Sequence, residues 1–212
     1  MTYSTTPLKR CFREPIPAVE LAASLLNQAA TAMLKGDHDT AQSLIRQADL
    51  PEVYAWLDSI WGARSPYVHK VIIPDSPPII PKAQRPKYRE ANKQLKQALI
   101  ERDGYHCRFC GTPVIRKEVR NKFRKMYPET VRWGKINVEN HAAFQALWLQ
   151  YDHILPHSRG GVTSLDNMVI TCSACNYGRM ESTLEEVGIE DPRNREPIRS
   201  DWDGLERIMS LP

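Results

Sequence analysis

Two periods of apolar and polar residues run along this chain, and the places where one gives way to the other mark its parts. From residue 18 to 61 Ala and Leu recur every three to four positions, in AVELAASLLNQAATAMLKGDHDTAQSLIRQADLPEVYAWLDSIW, the spacing of amphipathic helices. Gly36-Asp37 and Leu50-Pro51 interrupt the run, so the region predicts two or three short helices. YREANKQLKQALIERDG and RKEVRNKFRKMY predict two further helices, both basic. LQYDHIL then alternates toward a strand, NMVIT is a β-branched run, and SRGG and SLDN between them supply turn chemistry. Residues 149–171 therefore predict a hairpin with a long loop. Beyond residue 180, ESTLEEVG and DWDGLERIM predict two short helices around an extended DPRNREP, with Trp202 and Leu205 packing back onto the domain.

Residues 74–87, PDSPPIIPKAQRPK, hold five prolines, which stiffen a chain toward extended conformations. That stretch divides the 212 residues into an N-terminal helical domain (1–73), a proline-rich linker (74–88) and a second domain (89–212) with a basic insertion at 111–150. Nothing in the first domain is catalytic in type. A plain helical scaffold is its simplest reading, with docking of a protein partner or dimerisation through its helices as the alternative.

Charge sharpens the division. The net +4 hides residues 82–135, which carry 16 Lys+Arg against 5 Asp+Glu, a local +11 between neutral and acidic flanks. Concentrated positive charge is the footprint of a nucleic-acid binder, although a solvated helix face can carry the same charge. Lys122, Arg124 and Lys125 are the candidate phosphate contacts in it. No apolar run approaches the roughly 20 residues that span a bilayer, and MTYSTTPLKRCFREPIP has no apolar signal core. The expected compartment is the cytoplasm, with no membrane partner.

Four of the five cysteines form two C-x-x-C pairs, Cys107/Cys110 in HCRFC and Cys172/Cys175 in TCSAC. Two residues between thiolates let one tight turn aim both at one ion, and two such turns complete the four-thiolate shell of structural zinc. Such a shell leaves no position open for water, so the chemistry must lie elsewhere. Cys11 has no partner left and reads as a free thiol, and His106 is at most a spare ligand.

The stretch DHILPHSRGG, then LDN, then CSACNYGR closely resembles the HNH endonuclease family, over about residues 105–180. The resemblance implies an α+β fold, a ββα-metal (HNH) nuclease core with a four-cysteine zinc site. It also implies that Asp152 and Asn176 bind a catalytic divalent ion, that His153 is the general base, and that Asn167 orients His153. Asn176 stands where the third letter of the family name would be His, and the insertion before Asp152 is longer than usual. Asp and Asn oxygens suit Mg²⁺ or Mn²⁺, and a neutral imidazole can take a proton from water. Arg159 and Arg179 are candidates for clamping a phosphate, Arg159 equally for an ordinary surface arginine. His157 reads as a solvated loop histidine, and His38, His69 and His141 fall in no constellation.

The expectation is thus a metal-dependent endonuclease acting on nucleic acid, DNA rather than RNA. The alternatives are a catalytically silent zinc-knuckle nucleic-acid-binding module and a partner-regulated defence effector.

Overall fold

The computed structural model describes residues 8–61 and 65–212. Helix α1 (Pro17–Leu34) starts on a proline at its first turn and buries Val19, Ala22, Leu26, Ala29, Ala30 and Met33, one face at helical spacing. Helix α2 (His38–Gln47) is capped by Asp37, whose carboxylate accepts from the Thr40 N–H at 3.1 Å. Helix α3 (Pro51–Ile60) again opens on proline and buries Val53, Trp56, Leu57 and Ile60. Three helices and both breaks thus fall where the apolar period and its interruptions place them.

Helix α4 (Lys93–Asp103) is capped by the Asn92 side chain, which accepts from the Leu95 N–H at 2.8 Å. Its last residue, Asp103, is fully buried: it accepts from the Ile170 N–H at 3.0 Å and from Arg102 at 2.7 Å. Helix α5 (Lys117–Met126) is the basic helix of the insertion, and α6 (Ala142–Ala146) is short and buried throughout. Strands β1 (Gln150–His153) and β2 (Met168–Thr171) pair antiparallel, with Asp152 opposite Val169 and His153 opposite Met168. Helix α7 (Ser173–Arg179) follows β2 directly and packs on β1. The fold is a set of helices around one small antiparallel sheet.

The tail departs from expectation. ESTLEEVG forms turns rather than a helix, because the Glu186 carboxylate is drawn to the Thr183 N–H at 3.0 Å and to Ser76 and Arg159 at 2.8 Å each. The last segment is a 3₁₀ turn, Glu206–Ser210. Leu205 is fully buried, and Trp202 donates its indole N–H to the Val114 carbonyl at 3.1 Å, so both pack back onto the domain.

The helical region and the rest share one continuous buried cluster. Helix α3 packs on α6 and α7, and α1 on α6. A Cβ at Gly178 of α7 would lie 2.8 Å from Ile60 and 2.9 Å from Phe12, so glycine is what lets the N-terminal segment and α3 close on that helix. Polar ties join the same parts: His38 to Tyr127 at 2.8 Å, Gln42 to Thr130 at 3.2 Å, and Asp49 to the Ala142 N–H at 2.7 Å and to Arg132. The proline-rich stretch runs as a strap across the β1–β2 loop. Ile80 N–H donates to the Ser158 carbonyl at 2.9 Å, and His157 Nε2–H to the Pro86 carbonyl at 2.9 Å. His157 is therefore tethered rather than solvated.

His141 sits at the seam between α2 and α6, fully buried, with Nε2–H donating to the Ile45 carbonyl at 2.9 Å and Nδ1 without a hydrogen bond among the described residues, 3.9 Å from the Asp49 carboxylate. Burial pushes its pKa down to about 4, with Arg132 adding to the shift. The neutral ring is therefore favoured by folding, and that contribution is present above pH 6.5 and lost as pH falls toward 4. His141→Gln keeps a donor for Ile45 but does not titrate. The stability advantage of wild type over this variant, measured by denaturant unfolding, is expected to shrink by up to roughly 3 kcal/mol between pH 6.5 and 4. An unchanging difference contradicts the assignment.

Candidate active site

Cys107 and Cys110 lie on a turn closed by Gly111 N–H donating to the Cys107 carbonyl at 2.9 Å, and Arg108 N–H fastens that turn to β2 through the Ile170 carbonyl at 2.8 Å. Cys172 caps α7 and Cys175 sits in its first turn. All four are buried, and their sulfurs lie within 4.8 Å of one another, Cys110 and Cys172 at 3.6 Å. A tetrahedral ion with metal–sulfur bonds of about 2.3 Å separates its sulfurs by about 3.8 Å, so the cluster can hold a metal ion and is compatible with zinc. Burial and contacts to Cys107 and Cys110 push the Cys172 thiol well above its ordinary range. Four ionised sulfurs in this space require a cation among them. His106 is not a fifth candidate: Nδ1–H donates to the Gly111 carbonyl at 3.0 Å and Nε2 bonds Ser200 at 2.7 Å.

The second group sits where β1 ends against α7. Asp152, His153 and Asn176 line two adjoining clefts of about 330 and 350 Å³, together with Arg89, which borders both. Asp152 is buried, and one carboxylate oxygen, Oδ2, accepts from Arg179 at 2.6 and 3.2 Å. Burial pushes its pKa up while the guanidinium pulls it down. The Asn176 side chain makes no hydrogen bond among the described residues and is half-exposed. A carboxylate oxygen and an amide oxygen turned to one cleft are a hard donor set that fits a small divalent cation.

His153 is held by a residue that sequence reasoning missed. Its Nε2 lies 2.9 Å from Thr163 Oγ1, and that hydroxyl in turn lies 2.7 Å from the Tyr88 carbonyl. A carbonyl only accepts, so the hydroxyl gives its single proton to Tyr88 and must receive one from His153. The hydrogen-bond network thus assigns the proton to Nε2 and leaves Nδ1 with a lone pair. Burial, with His157 and Arg179 nearby, pushes the imidazole down to about 4, so it is neutral at pH 7. No motif marks Thr163, because its partner carbonyls at 88 and 89 belong to a distant part of the chain.

Asn167 does not touch the His153 ring. Its amide accepts from Leu155 N–H at 2.9 Å and donates to the Leu155 and Val162 carbonyls at 3.1 and 2.9 Å, pinning the loop that carries Thr163. The same loop turns at Gly160, with φ +88°, and a Cβ at Gly161 would lie 1.8 Å from the Leu155 carbonyl oxygen. Only glycines close this turn.

The arginines are placed differently from the expectation of phosphate clamps. Arg179 is 1% exposed; besides Asp152 it donates to the Ser182 carbonyl at 2.9 Å, the Ile154 carbonyl at 3.1 Å and the His153 carbonyl. Every donor direction is taken by protein, which leaves none for a phosphate. Arg159 ties Glu186 at 2.8 Å, the Glu181 carbonyl at 2.6 Å and the Pro77 carbonyl, fastening strap to tail. Lys122 donates to the Leu211 and Pro212 carbonyls at 2.6 Å each, while Arg124 and Lys125 are exposed on α5 away from both clefts. The cations that border the two clefts are instead Arg85, Arg89, Lys96 and Lys117, with Arg116 committed to Glu206 and Arg85 donating to the Ile80 carbonyl at 3.0 Å. Their signal was the local +11 of residues 82–135, which marks a region but not which members face the site.

A strand pair ending in Asp-His, a helix presenting Asn beside them and a buried four-thiol cluster form one compact unit. Residues 144–179, from the last turns before β1 through the end of α7, match the model of the HNH endonuclease family, described as HNH endonuclease. Over those residues the chain is thus similar to the HNH endonuclease family. No curated protein and no solved structure matches the chain.

If the thiol cluster holds structural zinc, purified protein contains about one zinc per chain, and Cys172→Ser loses it together with the cooperativity of thermal unfolding, since such a site contributes folding energy directly. Elemental analysis that finds no zinc in wild-type protein contradicts this.

Proposed function

We propose that this protein is a metal-dependent endonuclease that hydrolyses phosphodiester bonds in nucleic acid, DNA rather than RNA, with zinc in the cysteine cluster as a structural ion. The observation that carries the reading is the state of His153: a neutral ring whose Nε2–H is committed to Thr163, beside a carboxylate and a free amide in one cleft.

In this reading His153 Nδ1 takes a proton from water, the resulting hydroxide attacks phosphorus, and one bridging P–O bond breaks to release an alkoxide. Thr163 is a positioning residue, holding the ring and its tautomer through Nε2–H. Asn167 acts one step further back by pinning the loop of Thr163. Asp152 and Asn176 would hold Mg²⁺ or Mn²⁺, which would supply charge neutralisation for the phosphate and the departing oxygen. Arg179 keeps the Asp152 carboxylate aimed. Arg89, Lys96 and Lys117 attract and position the phosphate backbone.

Cleavage of plasmid with EDTA and Mg²⁺ controls tests this directly. His153→Ala is expected to cut about 10²–10⁴-fold more slowly with nucleic-acid affinity and thermal stability near wild type. Asp152→Ala and Asn176→Ala are expected to be slow as well, but to recover in part as the Mg²⁺ or Mn²⁺ concentration rises, which the histidine variant does not. Thr163→Val should lower the rate with little change in affinity. Wild-type cutting by His153→Ala, under the same metal and salt, removes it from the role of base. Binding without any metal-dependent cutting by wild type would instead favour a silent binding module.

A further inference from the structure

Next to the catalytic clefts lies a cavity of about 490 Å³ walled by aromatic rings, Trp61, Trp133, Trp148 and Tyr177, with Met180 at its rim. It is continuous with the site already described: Trp148 also lines the cleft of Asp152 and His153, and Tyr177 and Met180 line the cleft that holds His157. The rings are held in edge-to-face pairs, Trp133 against Trp148 at 5.7 Å between centroids and Trp61 against Tyr177 at 5.2 Å. Arg120 of α5 stacks its guanidinium over Trp133 at 3.7 Å and Trp148 at 4.7 Å from behind, is 5% exposed and has no carboxylate partner among the described residues. A buried cation spent on two indoles fixes their planes.

Two polar groups of the cavity wall are unused among the described residues, the Trp61 indole N–H and the Gln145 side-chain carbonyl. Gln145 is 3% exposed; its Nε2 donates to Asn137 at 2.9 Å, but its Oε1 is buried without a partner among the described residues. A bare buried carbonyl costs free energy unless something completes it. The occupant that fits must be flat enough to lie against indole and phenol faces, carry a donor on its edge for Gln145, and reach the cavity from a phosphate in the catalytic cleft. A nucleobase swung out of its stack has all three properties.

We propose that this aromatic cavity receives one unstacked nucleobase of the substrate, adjacent to the scissile phosphate, with Gln145 Oε1 accepting from an N–H on the base edge. The inference rests on the nuclease reading. It makes the aromatic cavity the base-reading part of the site, while the catalytic cleft contacts only the backbone.

The test maps the bond cut in a defined oligonucleotide, then places a single abasic sugar at each nucleotide flanking that bond and measures affinity with the full-length His153→Ala protein, which leaves the substrate intact. The expected result is a loss of about ten-fold at one position and little at its neighbours. Tyr177→Ala, at the exposed rim, should weaken binding of the intact oligonucleotide and abolish the penalty for the abasic sugar at that position. Gln145→Leu should likewise weaken binding of the intact oligonucleotide and reduce the penalty for the abasic sugar at that position. Equal affinity for every abasic oligonucleotide overturns the proposal while the nuclease reading stands, as does a positional penalty that persists in full in both folded variants. Absence of any cutting by the wild-type protein overturns both readings together.

Discussion

The buried ion pair between Arg179 and Asp152 is the interaction on which the candidate site depends. A guanidinium taken from water at 1% exposure is tolerable only if its donors are met, and here they are met by a carboxylate and three backbone carbonyls, those of His153, Ile154 and Ser182. One side chain from the end of α7 thereby sets the position of the last residue pair of β1 and of the loop that follows. Losing one partner of such a pair strands a buried charge, which costs about 3–5 kcal/mol. The arginine therefore belongs to folding and to the geometry of the candidate site at once.

Two supports converge on the same helix, and a third on the β1–β2 loop. The cysteine turn at its N-terminus fastens it to the 107–110 turn and to β2. Gly178 lets Ile60 and Phe12 close on its outer face, so the N-terminal helices buttress the strand–helix unit through a shared core. The proline-rich strap acts from the other side, gripping the β1–β2 loop through Ser158, His157 and Thr163. Stiff extended chain suits that role, since proline reduces the entropy lost when a segment is laid across a surface.

What was legible in the sequence follows from the range of the interactions involved. The three N-terminal helices, the hairpin and the paired C-x-x-C turns rest on local spacing, so periodicity, prolines and Asp37 were sufficient to place them. That Asp152, His153 and Asn176 meet in one cleft was legible because their order is tied to a single hairpin and helix. Arg179, Arg159 and Lys122 looked like cations for phosphate because charge type does not reveal burial; each turned out to be bound to protein groups 27 to 90 residues away. Thr163 was invisible for the converse reason: a common loop residue gains its role only from the carbonyl of Tyr88. ESTLEEVG had the composition of a helix and lost it to side-chain contacts with Arg159 and Ser76.

Arg179→Lys tests the central claim most directly, because lysine keeps the charge but cannot span four acceptors. If Arg179 is the internal anchor of the site, the variant unfolds at lower temperature and cuts more slowly, while its affinity for nucleic acid and the salt dependence of that affinity stay at wild-type values. A variant with unchanged melting and weakened, salt-altered binding would show that the guanidinium meets phosphate and that the anchor lies elsewhere.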